Sequence, residues 1–192
     1  MMNPLPAEAD AVLGFWFGSD NASRAEWFRK DVAFDAEIAQ RFGALVERAL
    51  NGELLEWQDD PRGALARIVL LDQFTRNVFR DTPRAFAGDT LALAAARALV
   101  AGGQDLSLPP VQRSFVYLPF EHSEDLATQD EGVRLFGALA ASAPESTDTL
   151  SYAQRHRDII ARFGRFPHRN AVLGRESTLQ ELAFLTQPGS RF

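Results

Sequence analysis

The sequence predicts an all-α protein built from antiparallel helix pairs. Apolar residues recur three and four positions apart along nearly the whole chain, and the alternating β-branched runs typical of strands are few. Residues that start helices (Ser, Thr, Asp, Pro) and residues that stop them (Gly) punctuate this pattern and leave short connections. We therefore expect about 8–10 helices in a single domain over residues 1–192, with loose tails at residues 1–5 and 187–192.

Each helix is predicted from its apolar periodicity and its end signals. A first helix over residues 6–17 ends before Gly18, and a Ser-x-x-Glu capping box at Ser23 opens a short second helix. Residues 34–50 form a third helix with one apolar face. The N-cap Asp60, followed by proline, begins a long helix that runs to about residue 79. The remaining predicted helices cover residues 89–100, residues 110–119 with a kink or an end at Pro119, and residues 124–141, 149–163 and 178–186.

Composition limits the classes of function. The net charge of −6 argues against general nucleic-acid binding, which needs a basic surface. The absence of cysteine excludes disulfides, thiolate metal sites and cysteine nucleophiles. No uncharged apolar run reaches the ~18 residues that span a membrane, and the first residues lack the basic start of a signal peptide. We expect a cytoplasmic protein that binds neither nucleic acid nor membrane.

A first chemical segment lies in the helix over residues 65–80. Apolar side chains project on all sides just before Asp72, so this helix is predicted to be buried around most of its circumference. Asp72 and Arg76 lie four positions apart, the spacing at which helical side chains meet. We expect them to form a buried ion pair, and the alternative is a pocket for an anion around Arg76. In that alternative, three polar residues on an adjacent stripe of the same helix belong to the pocket: Gln73, Asn77 and Arg80.

The second segment, residues 117–131, is acidic and contains no Lys or Arg. His122 lies in it, with Glu121 and Glu124 close in sequence. A histidine beside carboxylates serves as a general base, a metal ligand or a hydrogen-bonding strut. Ser123 is predicted to cap the next helix, with Glu124 and Asp125 favoured in its first turn by the helix dipole. Capping explains these residues without catalysis, and the alternative makes His122, Glu121 and Glu124 catalytic groups.

The third segment, residues 151–175, is rich in arginine and contains a single acidic residue. Gly164 follows a predicted helix end and is expected in the left-handed conformation. We expect the donors of this segment to pair with the acidic segment, and if they are open to solvent they would bind a carboxylate or phosphate ligand. The donors just after Gly164 are Arg165, His168, Arg169 and Asn170.

Standard signatures of enzymes and metal sites are missing. The sequence contains no P-loop, nucleophile elbow, dinucleotide-binding fingerprint or H-E-x-x-H motif. All three histidines lie in the acidic and basic segments, but His122, His156 and His168 lack the compact spacing of metal ligands. We therefore predict neither a metal nor a cofactor.

Three stretches of the chain resemble the hallmark motifs of the bacterial DUF924 family. They are residues 70–89 (LLDQFTRNVFRDTPRAFAGD), 115–129 (FVYLPFEHSEDLATQ) and 156–181 (HRDIIARFGRFPHRNAVLGRESTLQE), and residues 12–18 (VLGFWFG) resemble the opening of the family. The resemblance spans nearly the whole chain. It implies a tetratricopeptide-like α-α superhelix and no established activity, because the family is one of unknown function. No tetratricopeptide consensus with its period of ~34 residues is readable, so the superhelix rests on the resemblance.

Two functions follow from these observations. The first is a helical binding or scaffold protein with a charged cleft of Arg, His and carboxylate groups and a protein or peptide partner. The alternative is an enzyme or sensor that acts on a small anionic metabolite, in which an Arg cluster binds the anion. In that case His122 or His168, together with Glu121 or Glu124, would move protons. Both functions are compatible with a homo-oligomer, and catalytic activity stays open.

Overall fold

The computed structural model describes residues 5–19 and 23–190, which are about 75% helical and contain no strand. The all-α prediction is confirmed. A π-helical turn at Val69–Phe74, called the π-turn below, joins α3 to α4, and short 3₁₀ turns fill several connections. The α-helices are α1 (Ala7–Phe17), α2 (Val32–Leu50), α3 (Pro61–Ile68), α4 (Thr75–Val78), α5 (Asp89–Ala101), α6 (Pro110–Glu121), α7 (Leu126–Ser142), α8 (Thr147–Phe163) and α9 (Leu179–Leu185).

Helices that follow each other along the chain also pack against each other. The pairs α6–α7 and α7–α8 are in contact, and α3 contacts both α1 and α5. Because short connections join α6 to α7 and α7 to α8, these neighbours run antiparallel. The tetratricopeptide-like superhelix stays a prediction. No helix in the described part of the chain is long and apolar enough to span a membrane.

The main hydrophobic core is centred on aromatic side chains of α1. Trp16 is buried, and its ring centroid lies 5.3 Å from that of Phe74 in the π-turn and 6.0 Å from that of Phe34 on α2. The Phe115 ring of α6 lies 5.9 Å away and perpendicular to it. Such ring pairs contribute about 0.5–1.5 kcal/mol each beyond their burial. This packing fixes the position of the π-turn between α2 and α6.

Several helix ends lie where their capping residues predict. The Asp60 carboxylate accepts hydrogen bonds from the Arg62 and Gly63 amides (2.9 and 3.3 Å) and caps α3. At α9 the predicted capping box forms in both directions, between Thr178 and Glu181. These side chains satisfy backbone N–H groups that have no partner inside a helix.

Other helix ends differ from their predictions. The capping box predicted at Ser23 is wrong, because residues Ala25–Phe28 form a 3₁₀ turn without a side-chain cap. Arg24 and Trp27 donate instead to backbone carbonyls at the end of α1, which ties this turn to α1 rather than starting a helix. Pro119 does not end α6, which continues to Glu121. The helix stops within one turn of the proline, where few backbone hydrogen bonds remain to be lost.

The predicted tails fall partly on residues 1–4 and 191–192, which lie outside the described residues. Residues 187–190 form a hydrogen-bonded turn after α9. Ser190 is buried there, and its hydroxyl donates to the Leu185 carbonyl (3.2 Å). This part of the predicted tail is therefore packed onto the protein.

Candidate functional site

The three chemical segments of the sequence meet beside the π-turn. The π-turn lies in the first segment, the connection between α6 and α7 in the second, and the chain after α8 in the third. Hydrogen bonds and ion pairs link side chains from all three with one from the start of α5. The charged cluster, as we call it, comprises Asp72, Arg76, Asp89, His122, Glu124, Arg169 and Arg175.

The π-turn places a carboxylate inside the protein. Backbone hydrogen bonds in such a turn reach one residue further than in an α-helix, and some carbonyls need other donors. The Thr75 hydroxyl donates to the Leu71 carbonyl (2.8 Å), and the Arg76 guanidinium donates to the Asp72 carbonyl (2.5 Å). π-Turns inside α-helices are frequent at functional sites. Here the turn holds the side chain of Asp72 at 0% exposure.

Asp72 and His122 form a buried carboxylate–imidazole pair. The distance from His122 Nδ1 to Asp72 Oδ1 is 2.7 Å, and the Gln73 amide donates to Asp72 Oδ2 at 2.6 Å. Burial would raise the pKa of Asp72, but His122, Arg76 and Gln73 outweigh burial and hold that pKa well below its usual value. Burial also lowers the pKa of His122. Because His122 is therefore neutral at pH 7, the Arg76 charge and the hydrogen bonds are what keep Asp72 ionised.

The protonation states fix the roles of the two imidazole nitrogens. An ionised carboxylate only accepts hydrogen bonds, so Nδ1 of a neutral His122 carries the proton and donates it to Asp72. The Nε2 atom then has a free lone pair. A carboxylate that orients a neutral imidazole in this way is the arrangement of a general base.

Asp89 bridges two arginines. Its carboxylate accepts from Arg76 Nη1 at 2.9 Å and from Arg169 Nη1 at 3.2 Å. Arg169 is buried, and its guanidinium lies 4.6 Å from the ring centroids of both Phe86 and Phe166. Burial and the nearby Arg76 cation lower the pKa of Arg169 to about 10. Asp89 therefore only partly compensates the charge of Arg169.

Two donors of this part of the cluster remain unused. Arg76 Nη2 and Arg169 Nε are buried atoms with no hydrogen-bond partner among the described residues. Most buried polar atoms in proteins are paired, and each exception points to strain, function or a missing ligand or water.

Gly88 lets the segment that carries Phe86 and Asp89 dock on the π-turn. A Cβ atom at Gly88 would lie 2.1 Å from the Leu71 carbonyl oxygen, which is fixed backbone. We expect Gly88→Ala to lower the free energy of unfolding by about 2–3 kcal/mol, as overpacking in a rigid core does. The expected fall in the melting temperature is about 4–12 °C.

Gly14→Ala is the matched control for that prediction. No atom lies within 4 Å of a Cβ built at Gly14, which is exposed in the middle of α1. Alanine there should stabilise the helix by about 0.5–1 kcal/mol. Equal melting temperatures for the two variants would contradict the docking role of Gly88.

Glu124 is a partner in the cluster rather than a helix cap. Its carboxylate accepts from Arg175 Nη1 and Nη2 at 2.6 and 2.9 Å and from the Phe166 amide at 2.8 Å. The N-cap of α7 is Asp125, which accepts from the Thr128 amide at 2.8 Å. The predictions that Ser123 caps this helix and that Glu124 lies in its first turn are therefore wrong. Arg175 of the third segment binds Glu124, and this long-range pair replaces the role at the helix terminus that the local sequence predicts for Glu124.

The other two histidines lie next to His122. The His156 ring is 6.4 Å from that of His122, and its Nδ1 lies 2.9 Å from the Tyr152 carbonyl oxygen and 3.0 Å from Glu121 Oε1. The Phe166 ring lies next to both His156 and His168, with its centroid 5.6 Å from each. Burial and the Arg169 cation lower the pKa of His168 to about 3, so it is neutral at pH 7.

Comparisons with known proteins agree with the motifs. A family model described as a bacterial protein of unknown function, DUF924, matches residues 12–189. The chain belongs to the DUF924 family. A solved structure of a protein of unknown function from Agrobacterium tumefaciens is 39% identical and has a TM-score of 0.85 to this chain, covering 95% of this chain and 98% of that one. No curated protein matches the chain.

Several predicted site residues of this DUF924 protein point away from the charged cluster. Asn77 and Arg80 both bind the Asp35 carboxylate on α2, so the predicted stripe divides between two places. Arg165 forms a two-bond pair with Glu181 at 2.7 and 2.8 Å. Each of these residues lies in a pair that is already complete.

Asn170 binds one of the arginines of the charged cluster, Arg175. Its side-chain oxygen accepts from Arg175 Nε at 3.0 Å, and its amide donates to the Ser177 hydroxyl at 3.0 Å. It thereby orients the arginine that binds Glu124.

Sequence reasoning missed three members of the site. Asp89 is predicted only as the start of a helix, and in the structure it is the first residue of α5, with Gly88 at the N-cap position. Arg175 and Phe86 were not singled out at all. Their signal was present, since both lie inside the family motifs, but a single sequence does not reveal which motif residues face each other.

The charged cluster of this DUF924 protein combines two buried members, Asp72 and Arg169, with half-buried ones. The Arg76 and Asp89 side chains keep 21% and 20% of their exposure. Two surface grooves lie elsewhere, one of about 380 Å³ beside the start of α3 and one of about 850 Å³ between α1 and α2. No group of three or more His, Asp or Glu residues in the described chain is arranged to hold a metal ion.

Proposed function

We propose that this DUF924 protein is an enzyme for a small anionic compound, with Arg169 and Arg76 as the anion-binding groups and His122 as the general base. The observation that carries the proposal is a neutral, carboxylate-oriented imidazole beside two guanidinium groups with unused donors. A binding site needs donors for the ligand, and proton transfer needs a group that is unprotonated at the working pH and can accept the proton. The charged cluster supplies both.

A comparison of how the arginines of this protein are paired favours a ligand site in the charged cluster over a purely structural network. Arg80, Arg165 and Arg175 each hold both oxygens of one carboxylate with two nitrogens. Such two-bond pairs satisfy both partners and are complete. Arg76 and Arg169 each donate one hydrogen bond to the shared carboxylate of Asp89, and each keeps an unused buried donor although Arg76 also lies 3.4 Å from Asp72 Oδ1.

The electrostatic state of Arg169 favours the same conclusion. Its lowered pKa means that the protein destabilises its positive charge relative to water. An anion bound at the unused donor of Arg169 would offset the positive charge of this side chain. It would also form charge-assisted hydrogen bonds, which contribute about 1.5–3 kcal/mol. Ligand binding would therefore stabilise the folded protein.

A thermal-shift screen tests the binding step. Phosphate esters, carboxylates and nucleotides would be tested on the wild type, on Arg169→Ala and on Arg134→Ala, an exposed arginine of α7 that serves as control. A ligand at about 100 times its dissociation constant adds ~2.7 kcal/mol, or roughly 5–10 °C for a chain of this length. We expect a hit that Arg169→Ala loses and Arg134→Ala keeps. A hit that both variants keep would contradict the assigned anion site.

Deuterium exchange tests the proton-transfer step. Each compound that binds would be incubated with the protein in D₂O and followed by proton NMR for loss of a carbon-bound proton signal or for conversion. We expect exchange or conversion with the wild type and a loss of at least about 100-fold with His122→Gln, since general bases contribute about 10²–10⁴ in rate. If a compound binds to the wild type without exchange or conversion, the protein binds this ligand but does not act on it, and the proposed enzymatic activity is contradicted.

A protein-binding role has a separate observation in its favour. Leu179 and Leu182 of α9 are 85% and 51% exposed, which is unusual for large apolar side chains on one helix. A pull-down with the wild type and with Leu179→Ser/Leu182→Ser tests it. A partner captured by the wild type alone supports this role, and a partner captured equally by both contradicts it.

A further inference from the structure

The surroundings of Arg169 limit the directions in which it can bind. Its guanidinium lies 4.6 Å from the ring centroids of both Phe86 and Phe166. Both rings are therefore in contact with this group and cover part of its surface. Stacking on aromatic rings leaves a guanidinium with hydrogen bonds only at its edges, in its own plane. A ligand of Arg169 would therefore form its hydrogen bonds at an edge of the guanidinium.

One edge of Arg169 is unused. Its Nη1 donates to Asp89 at 3.2 Å, which is the hydrogen bond that the described residues give this side chain. Nε is a buried atom without a partner, so the edge of the guanidinium that carries Nε and Nη2 has an unused donor. Two parallel N–H groups at such an edge match the two oxygens of a planar carboxylate. A phosphate can also place two of its oxygens at this edge, so the charge of the ligand has to distinguish the two classes.

The charges of the cluster limit the charge of the ligand. Three arginines, Arg76, Arg169 and Arg175, face three carboxylates, Asp72, Asp89 and Glu124. His122 and His168 add no charge at pH 7, because burial lowers the pKa of both. The cluster is thus balanced before any ligand binds. A single added negative charge is offset by the under-compensated Arg169, whereas a second would be repelled by the carboxylates of Asp89 and Glu124.

We infer that the ligand of the site is a small monocarboxylic acid whose carboxylate binds side by side to Nε and Nη2 of Arg169. This inference rests on the proposed function and adds the chemical class of the substrate. It also assigns Phe86 and Phe166 as positioning residues, since they hold the guanidinium edge-on to the ligand.

Arginine Nε–H spectra of the ¹⁵N-labelled protein test the inference. Acetate, glycolate, malonate and inorganic phosphate would be titrated at pH 7.5 and equal ionic strength. We expect acetate and glycolate to move the Arg169 Nε–H signal to saturation, and malonate and phosphate to bind at least about tenfold more weakly, a difference of about 1.4 kcal/mol. Arg169→Lys keeps the charge but loses the planar edge, so it should weaken acetate binding by a similar factor.

Assignment of the signal does not depend on a variant that folds. Arg169→Lys removes one Nε–H signal, and Arg134→Lys, the surface control, removes another and should leave acetate binding unchanged. If Arg169→Lys fails to fold, ring-current shifts from Phe86 and Phe166 and through-space contacts to those rings identify the wild-type signal.

The outcomes separate the inference from the proposed function. Saturable binding of phosphate at the Arg169 signal, stronger than that of acetate, would overturn the monocarboxylate and leave an anion site. A shift confined to other arginines would overturn Arg169 as the anchor. No response to any of the four anions would overturn the monocarboxylate, whereas a thermal-shift hit with another anion that Arg169→Ala loses would still support the proposed function. If acetate and glycolate bind at Arg169 but no bound compound shows deuterium exchange or conversion, the inferred ligand class is supported and the proposed enzymatic activity is overturned.

Discussion

Replacing Asp72 by alanine is expected to lower the free energy of unfolding by about 3–5 kcal/mol, the range for breaking a buried ion pair by removing one partner. Asp72 is fully buried in the π-turn and has three partners, Arg76, His122 and Gln73. The alanine variant leaves the buried Nδ1–H of His122 without its acceptor and Arg76 with Asp89 as its only carboxylate. Each unpaired buried group adds its own desolvation cost.

Urea denaturation of the variant and of a surface control measures this effect. Asp130→Ala breaks the exposed Asp130–Arg157 pair (2.9 Å), and exposed pairs contribute about 0–1 kcal/mol. We expect the melting temperature of Asp72→Ala to fall by about 6–20 °C and that of the control by about 4 °C at most. Losses of the same size in the two variants would show that the Asp72 network does not stabilise the fold.

Asp72→Asn separates the fold from the proposed chemistry. The amide oxygen of asparagine can still accept from His122 Nδ1, so we expect a smaller loss of stability than with alanine. The negative charge that orients the imidazole and stabilises its protonated form is gone, so proton transfer should fall more steeply than stability.

The helices and the Asp72–Arg76 pair can be predicted from the sequence, because they depend on interactions between residues that are close in the chain. A spacing of four on a helix brings two side chains together whatever the rest of the chain does, and the pair forms at 3.4 Å. The caps of Asp60 and of Thr178 with Glu181 are equally local. In each case the residues that interact lie within four positions of each other.

The rest of the site depends on partners that are distant in the chain. Asp89 and Arg169 are 80 positions apart, and Glu124 and Arg175 are 51 apart. The π-turn was also missed, because apolar residues on all sides of the helix before Asp72 leave no periodicity that would reveal a wider turn. At residues 123–125 the sequence offers two N-cap side chains, Ser123 and Asp125, and Asp125 caps the helix while Glu124 pairs with the distant Arg175.

Mild acid is expected to destabilise the protein through its buried histidines. His168 has a folded pKa of about 3, because burial and the Arg169 cation disfavour its charged form, while an unfolded histidine has a pKa of about 6.5. Between these two values the unfolded chain binds a proton that the folded protein does not. The stability that depends on neutral His168 is therefore complete above about pH 6.5 and is lost as the pH falls below it.

The size of the loss follows from the two pKa values. From pH 7 to pH 4.5 the His168 contribution falls by about 2.5 kcal/mol, equivalent to roughly 5–10 °C in melting temperature. The pKa of His122 is also lowered by burial, so it adds a loss in the same direction. The carboxylates with lowered pKa values, Asp72 and Glu124, contribute mainly below about pH 4.5, where their unfolded forms begin to take up protons.

His168→Gln should flatten this dependence, because glutamine does not titrate. Urea denaturation at pH 7 and pH 4.5 gives the difference for each protein, and we expect the variant to lose about 2.5 kcal/mol less than the wild type. Arg134→Gln, a control at the exposed arginine of α7, should lose as much as the wild type, because arginine keeps its charge at both pH values. If His168→Gln lost as much as well, His168 would titrate equally in the folded and unfolded chains, and the tight packing of the charged cluster around it would be contradicted.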